Sequence, residues 1–322
     1  VQTLIGTKAS LTKVSGKLFK TKLLWALIIF AAILELYVSY LWADNVSQPN
    51  GKIVFVSWDF QIMLLDMKSR HVSQLTKSGS NLWPRWSFDG KKIAFGSVRG
   101  DHKPEIYIMD AEGTNQRRVT FTKNGEATDP HWGVDKILYF RSIVRGVIQE
   151  NSIDLVNGEI KVISSTGEVS GKTIKERLEQ RKRIYQIFPS GDGKYQILYF
   201  RYGEKLELLE LASGTKRELR AGPKGQPSWS KDSKRIDYVT GQIPDQVLMI
   251  FDVKENTYEE INLGRGPNTG CGGEPSWNAN SSRIVYPCAT PYAEKSDSRL
   301  YILDLETKKS SMLIKGGSPD WH

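Results

Sequence analysis

Few residues of this 322-residue chain could do chemistry, and they are widely spaced. The four histidines, His71, His102, His131 and His322, fall in separate parts of the sequence, without the close spacing of metal ligands. Asp129-Pro130-His131 sets an acid beside an imidazole, as general-base chemistry requires, but it falls inside a repeated motif where a structural role accounts for it. Asp66, Asp110, Asp154, Asp252 and Asp304 recur once per repeat, so each is expected to serve a turn. No Gly-x-Ser-x-Gly elbow occurs. No catalytic residue, metal ligand or cofactor is therefore assigned, and a non-enzymatic protein is expected. A site assembled from distant segments around a common centre stays open.

The elements that would position such a site come from the repeat. Its fullest copy reads Pro84-Arg85-Trp86-Ser87-Phe88-Asp89-Gly90-Lys91-Lys92-Ile93-Ala94-Phe95. Pro-x-Trp heads recur at Pro84/Trp86, Pro130/Trp132, Pro227/Trp229, Pro275/Trp277 and Pro319/Trp321. A degenerate head, Pro189-Ser190-Gly191-Asp192-Gly193, keeps Ser-x-Asp-Gly with proline in the Trp place. Successive heads stand 46, 57, 40, 48 and 44 residues apart. A period of about 40–50 residues holding several short strands marks propeller blades, so six heads imply six blades.

Each head leads into a β-branched and aromatic strand: 53–55, 93–95, 137–140, 197–200, 236–239 and 284–286. A second strand then ends in an acid, at 62–66, 106–110, 153–154, 206–210, 247–252 and 300–304. A polar turn and a short strand such as Arg118-Val119-Thr120 or Gln74-Leu75-Thr76 finish the unit. Alternating apolar residues between Gly, Asn, Asp and Ser turns are what half-buried antiparallel strands require. The head tryptophans are expected to pack between neighbouring blades. Pro319-Asp320-Trp321-His322 is the first half of a unit, and Asn50-Gly51-Lys52-Ile53-Val54-Phe55 supplies a second half. The expected fold is thus all-β: a six-bladed propeller closed by pairing of its N- and C-terminal strands.

The Pro-x-Trp-Ser-x-Asp-Gly-x-x-Ile-x-Phe units resemble the WD40-like repeats of TolB-like propellers, over roughly residues 50–322. The resemblance implies a six-bladed propeller and leaves function open, because such blades serve interaction proteins, peptidase domains and lyases alike. TolB itself carries an α/β domain ahead of its propeller. The sequence before residue 50 leaves no room for one, so a full TolB is not expected.

Residues 23–42 are twenty residues carrying one charge, the length that spans a bilayer. The preceding segment, 1–22, holds Lys8, Lys13, Lys17, Lys20 and Lys22 and no acid, which keeps it cytoplasmic and sends the propeller across an inner membrane. Trp25 marks one interface; Tyr37, Tyr40 and Trp42 mark the other. A cleaved leader is disfavoured by the length of the apolar stretch and by Leu41 two positions before the candidate cleavage residue Ala43. Glu35 breaks the apolar rule, and with Ala31, Ala32 and Ser39 gives one helix side a small, polar character suited to packing on other helices. Residues 43–50 read as a linker.

The net charge of +9 is localised in the lysine tail and in an insertion at about 172–186, leaving the remainder close to neutral. Nucleic acid is therefore not an expected partner, and the tail is read as attracted to anionic lipids. In the insertion, Thr173-Ile174-Lys175-Glu176 fits a capping box, and Ile174, Leu178 and Tyr185 can share a helical face. A short basic helix carrying Lys172, Lys175, Arg177, Arg181, Lys182 and Arg183 is expected between blades. Cys271 and Cys288 flank a predicted hairpin within a residue or two of register, which favours a disulfide in an oxidising compartment.

These readings converge on a membrane-anchored, extracytoplasmic propeller acting as an accessory or scaffold subunit of a large inner-membrane complex, such as a photosynthetic, respiratory or transport assembly. Its partners would be other subunits, met by helix 23–42 and by the propeller. A tethered receptor that captures a peptide in its central channel is the alternative, and an enzyme acting on peptides or glycans is a more distant one.

Overall fold

The runs that follow the heads of blades 2 and 6 bury both of their faces: Lys92–Val98 is buried from Ile93 to Ser97 and Arg283–Ala289 from Arg283 to Tyr286. Only a strand paired on both edges and covered on both sides has that pattern. The structure, a computed structural model, describes residues 51–100, 103–165, 184–200, 205–220, 222–223, 225–242, 245–263, 270–271, 273–289 and 298–322. The expected tail, membrane span and linker (1–50) and most of the expected basic helix (166–183) lie outside these residues.

Six sheets follow in chain order. Blade 1 holds β1 (Lys52–Val56), β2 (Ile62–Asp66) and β3 (Val72–Gln74). Blade 2 holds β4 (Ser80–Trp86), β5 (Lys92–Val98), β6 (Pro104–Asp110) and β7 (Arg117–Arg118). Blade 3 holds β8 (Gly125–Trp132), β9 (Ile137–Val144), β10 (Val147–Asp154) and β11 (Ile160–Ser165). Blade 4 is β12 (Ile184–Pro189), β13 (Tyr195–Phe200), β14 (Leu206–Glu210) and β15 (Lys216–Glu218). Blade 5 is β16 (Ser228–Trp229), β17 (Arg235–Thr240), β18 (Val247–Asp252) and β19 (Thr257–Asn262). In blade 6, β20 (Gly270–Cys271) and β21 (Ser276–Trp277) both pair with β22 (Arg283–Ala289), followed by β23 (Arg299–Asp304) and β24 (Ser310–Lys315).

The final strand, β25 (Gly317–Trp321), does not join blade 6. It pairs antiparallel with β1 through Ile53↔Trp321 and Val54↔Asp320, and so supplies the innermost strand of blade 1. The ring closes as the half-repeats at either end require. Lys52 and His322 exchange backbone hydrogen bonds at 2.6 and 2.9 Å, which continues the ladder to the last residue.

The apolar core lies between blades. Val54, Ile62 and Leu64 of blade 1 pack on Trp86, Ile93 and Phe95 of blade 2, and Val285, Leu300 and Ile302 of blade 6 pack on Ile53, Phe55 and Trp321 of blade 1. Head tryptophans sit in these seams: Trp132 and Trp229 donate their indole N–H to the carbonyls of Arg85 and Phe188 in the preceding blade, both at 2.9 Å. The seam between blades 3 and 4 has the smallest buried apolar cluster, Ile187, Leu198 and Phe200.

The recurring acids hold turns, as their period implies. Asp66 accepts the Ser69 N–H at 2.7 Å, Asp154 that of Val156 at 2.8 Å, and Asp304 that of Thr307 at 3.0 Å. The Ser-x-Asp-Gly turns close with Ser87 and Ser190 donating to Asp89 and Asp192, both at 2.7 Å, and with Gly90 and Gly193 at positive φ.

Two expectations need adjusting. The short fourth strands begin earlier than read, at Val72–Gln74 and Arg117–Arg118, because the Ile62 and Ile106 N–H groups donate to the Thr76 and Thr120 hydroxyls, both at 2.8 Å, and so end the backbone ladder. Tyr185 is not on a helix face. It lies in β12, where its ring packs 5.9 Å from that of Tyr199, so any helix in the insertion must end before Ile184.

Candidate functional site

Strand alternation decides which part of each head faces the channel. In Pro-x-Trp the proline and tryptophan share one face of the innermost strand and the middle residue takes the other. The six middle residues are Arg85, His131, Phe188, Ser228, Ser276 and Asp320, and all six line one cavity of about 520 Å³ at the head end of the channel. The site is therefore a ring drawn from every blade, at the head position whose residue type varies most from copy to copy.

A bulge adjusts the ring. Thr128 pairs with Arg141 and His131 with Tyr139, so one extra residue is accommodated in β8; β4 and β25 carry the same irregularity. In all three, the residue just before the proline takes positive φ: Trp83 at 51°, Asp129 at 52° and Ser318 at 45°. Such φ values are uncommon away from glycine, and bulges re-aim side chains where pairing alone would not.

The charges in the ring are used against each other. Arg85 of blade 2 forms an ion pair with Glu274 of blade 6, reaching past the closing strand between them. Burial works to lower the Arg85 guanidinium, but the carboxylates of Glu274 and Asp320 outweigh it and leave its pKa raised. Asp320 ties both flanking blades to the closure: it accepts the Trp86 backbone N–H at 2.6 Å and the Ser276 hydroxyl at 2.7 Å.

A second polar cluster fills the seam between blades 3 and 4. Asp129 pairs with Arg141, whose guanidinium lies 4.7 Å over the Tyr185 ring and donates to its hydroxyl. Burial pushes Asp129 up to about 6 against the pull of Arg141. Glu150 is buried, accepts the Ile187 N–H at 3.3 Å, and is pushed well above the usual carboxyl range by that burial. His131 is driven well below the usual imidazole range, first by burial and then by Arg85 and Arg141, so it is neutral at physiological pH.

The neutral ring of His131 packs 4.7 Å from Phe188, and its Nε2 stands 4.0 Å from Glu150. Among the described residues neither of its nitrogens has a hydrogen-bond partner, and the Gln226 Oε1 has none either. A buried imidazole presents a donor and an acceptor, and leaving both unmade is costly unless something else meets them. Among the described residues no group of three or more His, Cys, Asp or Glu is arranged to hold a metal ion.

Sequence reasoning assigned His131 and Asp129 to the repeat alone; the structure places His131 in the cavity wall and Asp129 in the polar cluster beside it, paired with Arg141. Of the other histidines, His322 reaches the cavity rim, 5.7 Å from Trp86, His71 is exposed elsewhere, and His102 lies outside the described residues. Arg85, Glu274, Gln226 and Asp320 were missed. The variable middle residue of an otherwise constant head would have found Arg85 and Asp320; Gln226 and Glu274 stand one residue before the head proline, as Asp129 does. Cys271 and Cys288 stand directly opposite each other across β20 and β22 and are joined by a disulfide, because the edge carries two more residues than β22 between this pair and Ser276↔Val285. Glu35, Ala31, Ala32, Ser39, Trp25, Tyr37, Tyr40, Trp42, the tail lysines and the basic residues 172–183 lie outside the described residues. No described helix is long and apolar enough to cross a membrane.

No family model matches the chain. Among solved structures it is similar to TolB from Acinetobacter baumannii, at 20% identity and a TM-score of 0.62 over 84% of this chain and 66% of that one. The match to a putative TolB from Agrobacterium tumefaciens has 15% identity and a TM-score of 0.57, over 84% and 92% of the two chains. Hydrazine synthase from Kuenenia stuttgartiensis matches at 13% identity and a TM-score of 0.59, over 84% and 46%. The chain spans about two thirds of the Acinetobacter protein. The likeness establishes a TolB-like six-bladed propeller, an architecture found under both TolB and synthase names, so the fold does not decide catalysis.

Proposed function

We propose that this chain is a non-catalytic binding protein, whose propeller holds a segment of a partner protein at the head end of its channel. It serves as an accessory subunit of a larger inner-membrane assembly, carried by segment 23–42 with the tail in the cytoplasm. One observation carries the reading: the variable head residue of every blade lines one cavity of about 520 Å³, whose wall combines the aromatic surface of Phe188 with polar side chains such as Ser228 and Asp320. That combination suits the amides and side chains of a peptide segment. The ring's ionic groups are matched within the protein, Arg85 to Glu274 and Arg141 to Asp129, so they favour rigidity over turnover. Glu35, costly in an apolar span, makes sense if the helices of other subunits satisfy it.

The test is purification of the full chain in mild detergent. The expected result is a stoichiometric complex that His131→Phe weakens without lowering the melting temperature, and that Glu35→Leu weakens without loss of membrane insertion. A protein that purifies alone and cleaves peptides or glycans, with activity lost in His131→Phe, would overturn the reading in favour of an enzyme.

A further inference from the structure

Blades 4 and 5 leave an open cleft of about 670 Å³ between their outer strands, lined by Arg217, Glu218, Arg220, Asn256, Thr257 and Tyr258. It shares no lining residue with the channel cavity. Arg217 stands opposite Leu208 in the sheet, and Leu208 belongs to the core cluster that holds Phe251 of blade 5, so the Arg217 side chain points across the seam.

Two aromatic rings hold the guanidinium groups. Phe251 and Tyr258 face each other across β18 and β19, with ring centroids 4.8 Å apart. The Arg217 guanidinium lies 5.9 Å from the Phe251 centroid, and that of Arg220 lies 4.6 Å over the Tyr258 centroid. Arg217 also donates to the Asn256 Oδ1 at 3.0 Å, and the Arg220 backbone N–H donates to the Tyr258 hydroxyl at 3.1 Å. Stacking fixes the planes of the two groups and leaves N–H edges open to a ligand.

Comparable cations meet acids: in β7 Arg118 donates to Glu105 at 2.6 Å, and in β15 itself Lys216 lies 3.9 Å from Glu207. Arg217 and Arg220 have no ion pair among the described residues. Glu218 in the lining is taken by Lys205 at 3.1 Å, Glu255 beside Asn256 by Lys254 at 3.2 Å, and Glu259 beside Tyr258 by Lys308. Two like charges on adjoining rings repel, and a bound anion relieves that repulsion.

We propose that this cleft binds phosphate, free or as a monoester. Its charge of about −1.5 to −2 at neutral pH matches two guanidinium groups, and its oxygens accept from their planar forks. A carboxylate or a phosphodiester, with a single charge, leaves one cation unmatched. The site uses neither the channel nor segment 23–42, and stands apart from the proposed function.

The experiment is arginine modification by phenylglyoxal on the full chain in mild detergent, mapped by peptide mass spectrometry. Inorganic phosphate at roughly ten times its dissociation constant, expected in the millimolar range, should slow modification of Arg217 and Arg220 about tenfold. Exposed Arg70 should react at one rate throughout. In melts, phosphate should raise the transition temperature of wild type and leave that of the Arg217→Gln, Arg220→Gln double variant unmoved. Unslowed modification overturns the proposal. Equal protection by sodium chloride at matched ionic strength does so too, because it reduces the effect to screening. So does protection by micelles doped with phosphatidylglycerol but not by inorganic phosphate, which would assign the cleft to a membrane surface.

Discussion

Asp237 offers a sharp test of the interior. It is fully buried on β17, accepting the Ser228 hydroxyl at 2.5 Å and the Trp277 indole N–H at 2.6 Å, while its Oδ2 has no hydrogen-bond partner among the described residues. Burial, opposed by those two donors, pushes its carboxyl up from 3.8 to about 7. The folded state therefore binds this proton more tightly than the unfolded chain does. Its contribution to stability is fully present below about pH 4 and is lost as pH rises through 7. Three pH units at about 1.4 kcal/mol each set an upper bound of roughly 4 kcal/mol. Asp237→Asn keeps an acceptor for Trp277, lets the Ser228 hydroxyl accept from the new amide, and cannot titrate. Wild-type stability relative to this variant should fall by up to about 4 kcal/mol between pH 4 and pH 8, or about 8 °C in melting temperature for a domain of this size. Asp129, also raised, has the same sign in both proteins and largely cancels in the difference. Tryptophan fluorescence on paired melts at stepped pH reads the effect. Parallel profiles for the two proteins would refute the reasoning.

Three further outcomes are expected. Deleting residues 318–322 removes buried Trp321 and the Asp320 carboxylate that joins blades 2 and 6, so the melting temperature should drop sharply; a truncation that melts like its parent would show that closure contributes little. Replacing both cysteines by alanine should cost on the order of 3 kcal/mol for a 17-residue separation, and mass spectrometry should find no alkylatable thiol before reduction. Arg85→Met strands the Glu274 carboxylate and should cost about 3–5 kcal/mol in denaturant unfolding, while adding Glu274→Met should recover most of it; a double variant no better than the single would deny the ion pair its role.

The legible parts of the molecule were those that repeat. Strand positions, turn acids and closure follow from the head motif, because a residue type that recurs at blade spacing answers a backbone demand that also recurs. The non-repeating parts were opaque in proportion to their range. Cys271 and Cys288 looked a residue or two out of register until the irregular edge of blade 6 realigned them. Tyr185 matched a helical spacing locally, yet pairing of its neighbours Ile184 and Gln186 with β13 and its own contact with Arg141 hold it in a strand.

By itself, then, the order of residues determined a closed ring of six four-stranded units, because alternation, turn chemistry and half-repeats at the two ends act over short distances or through a fixed period. Only the tertiary structure decided the content of the channel. Arg85, His131, Phe188, Ser228, Ser276 and Asp320 are far apart in sequence and become one wall when the ring closes. Their charges, protonation and unmet hydrogen bonds depend on which of them face each other across that wall, and burial there, more than residue type, sets what the site can bind.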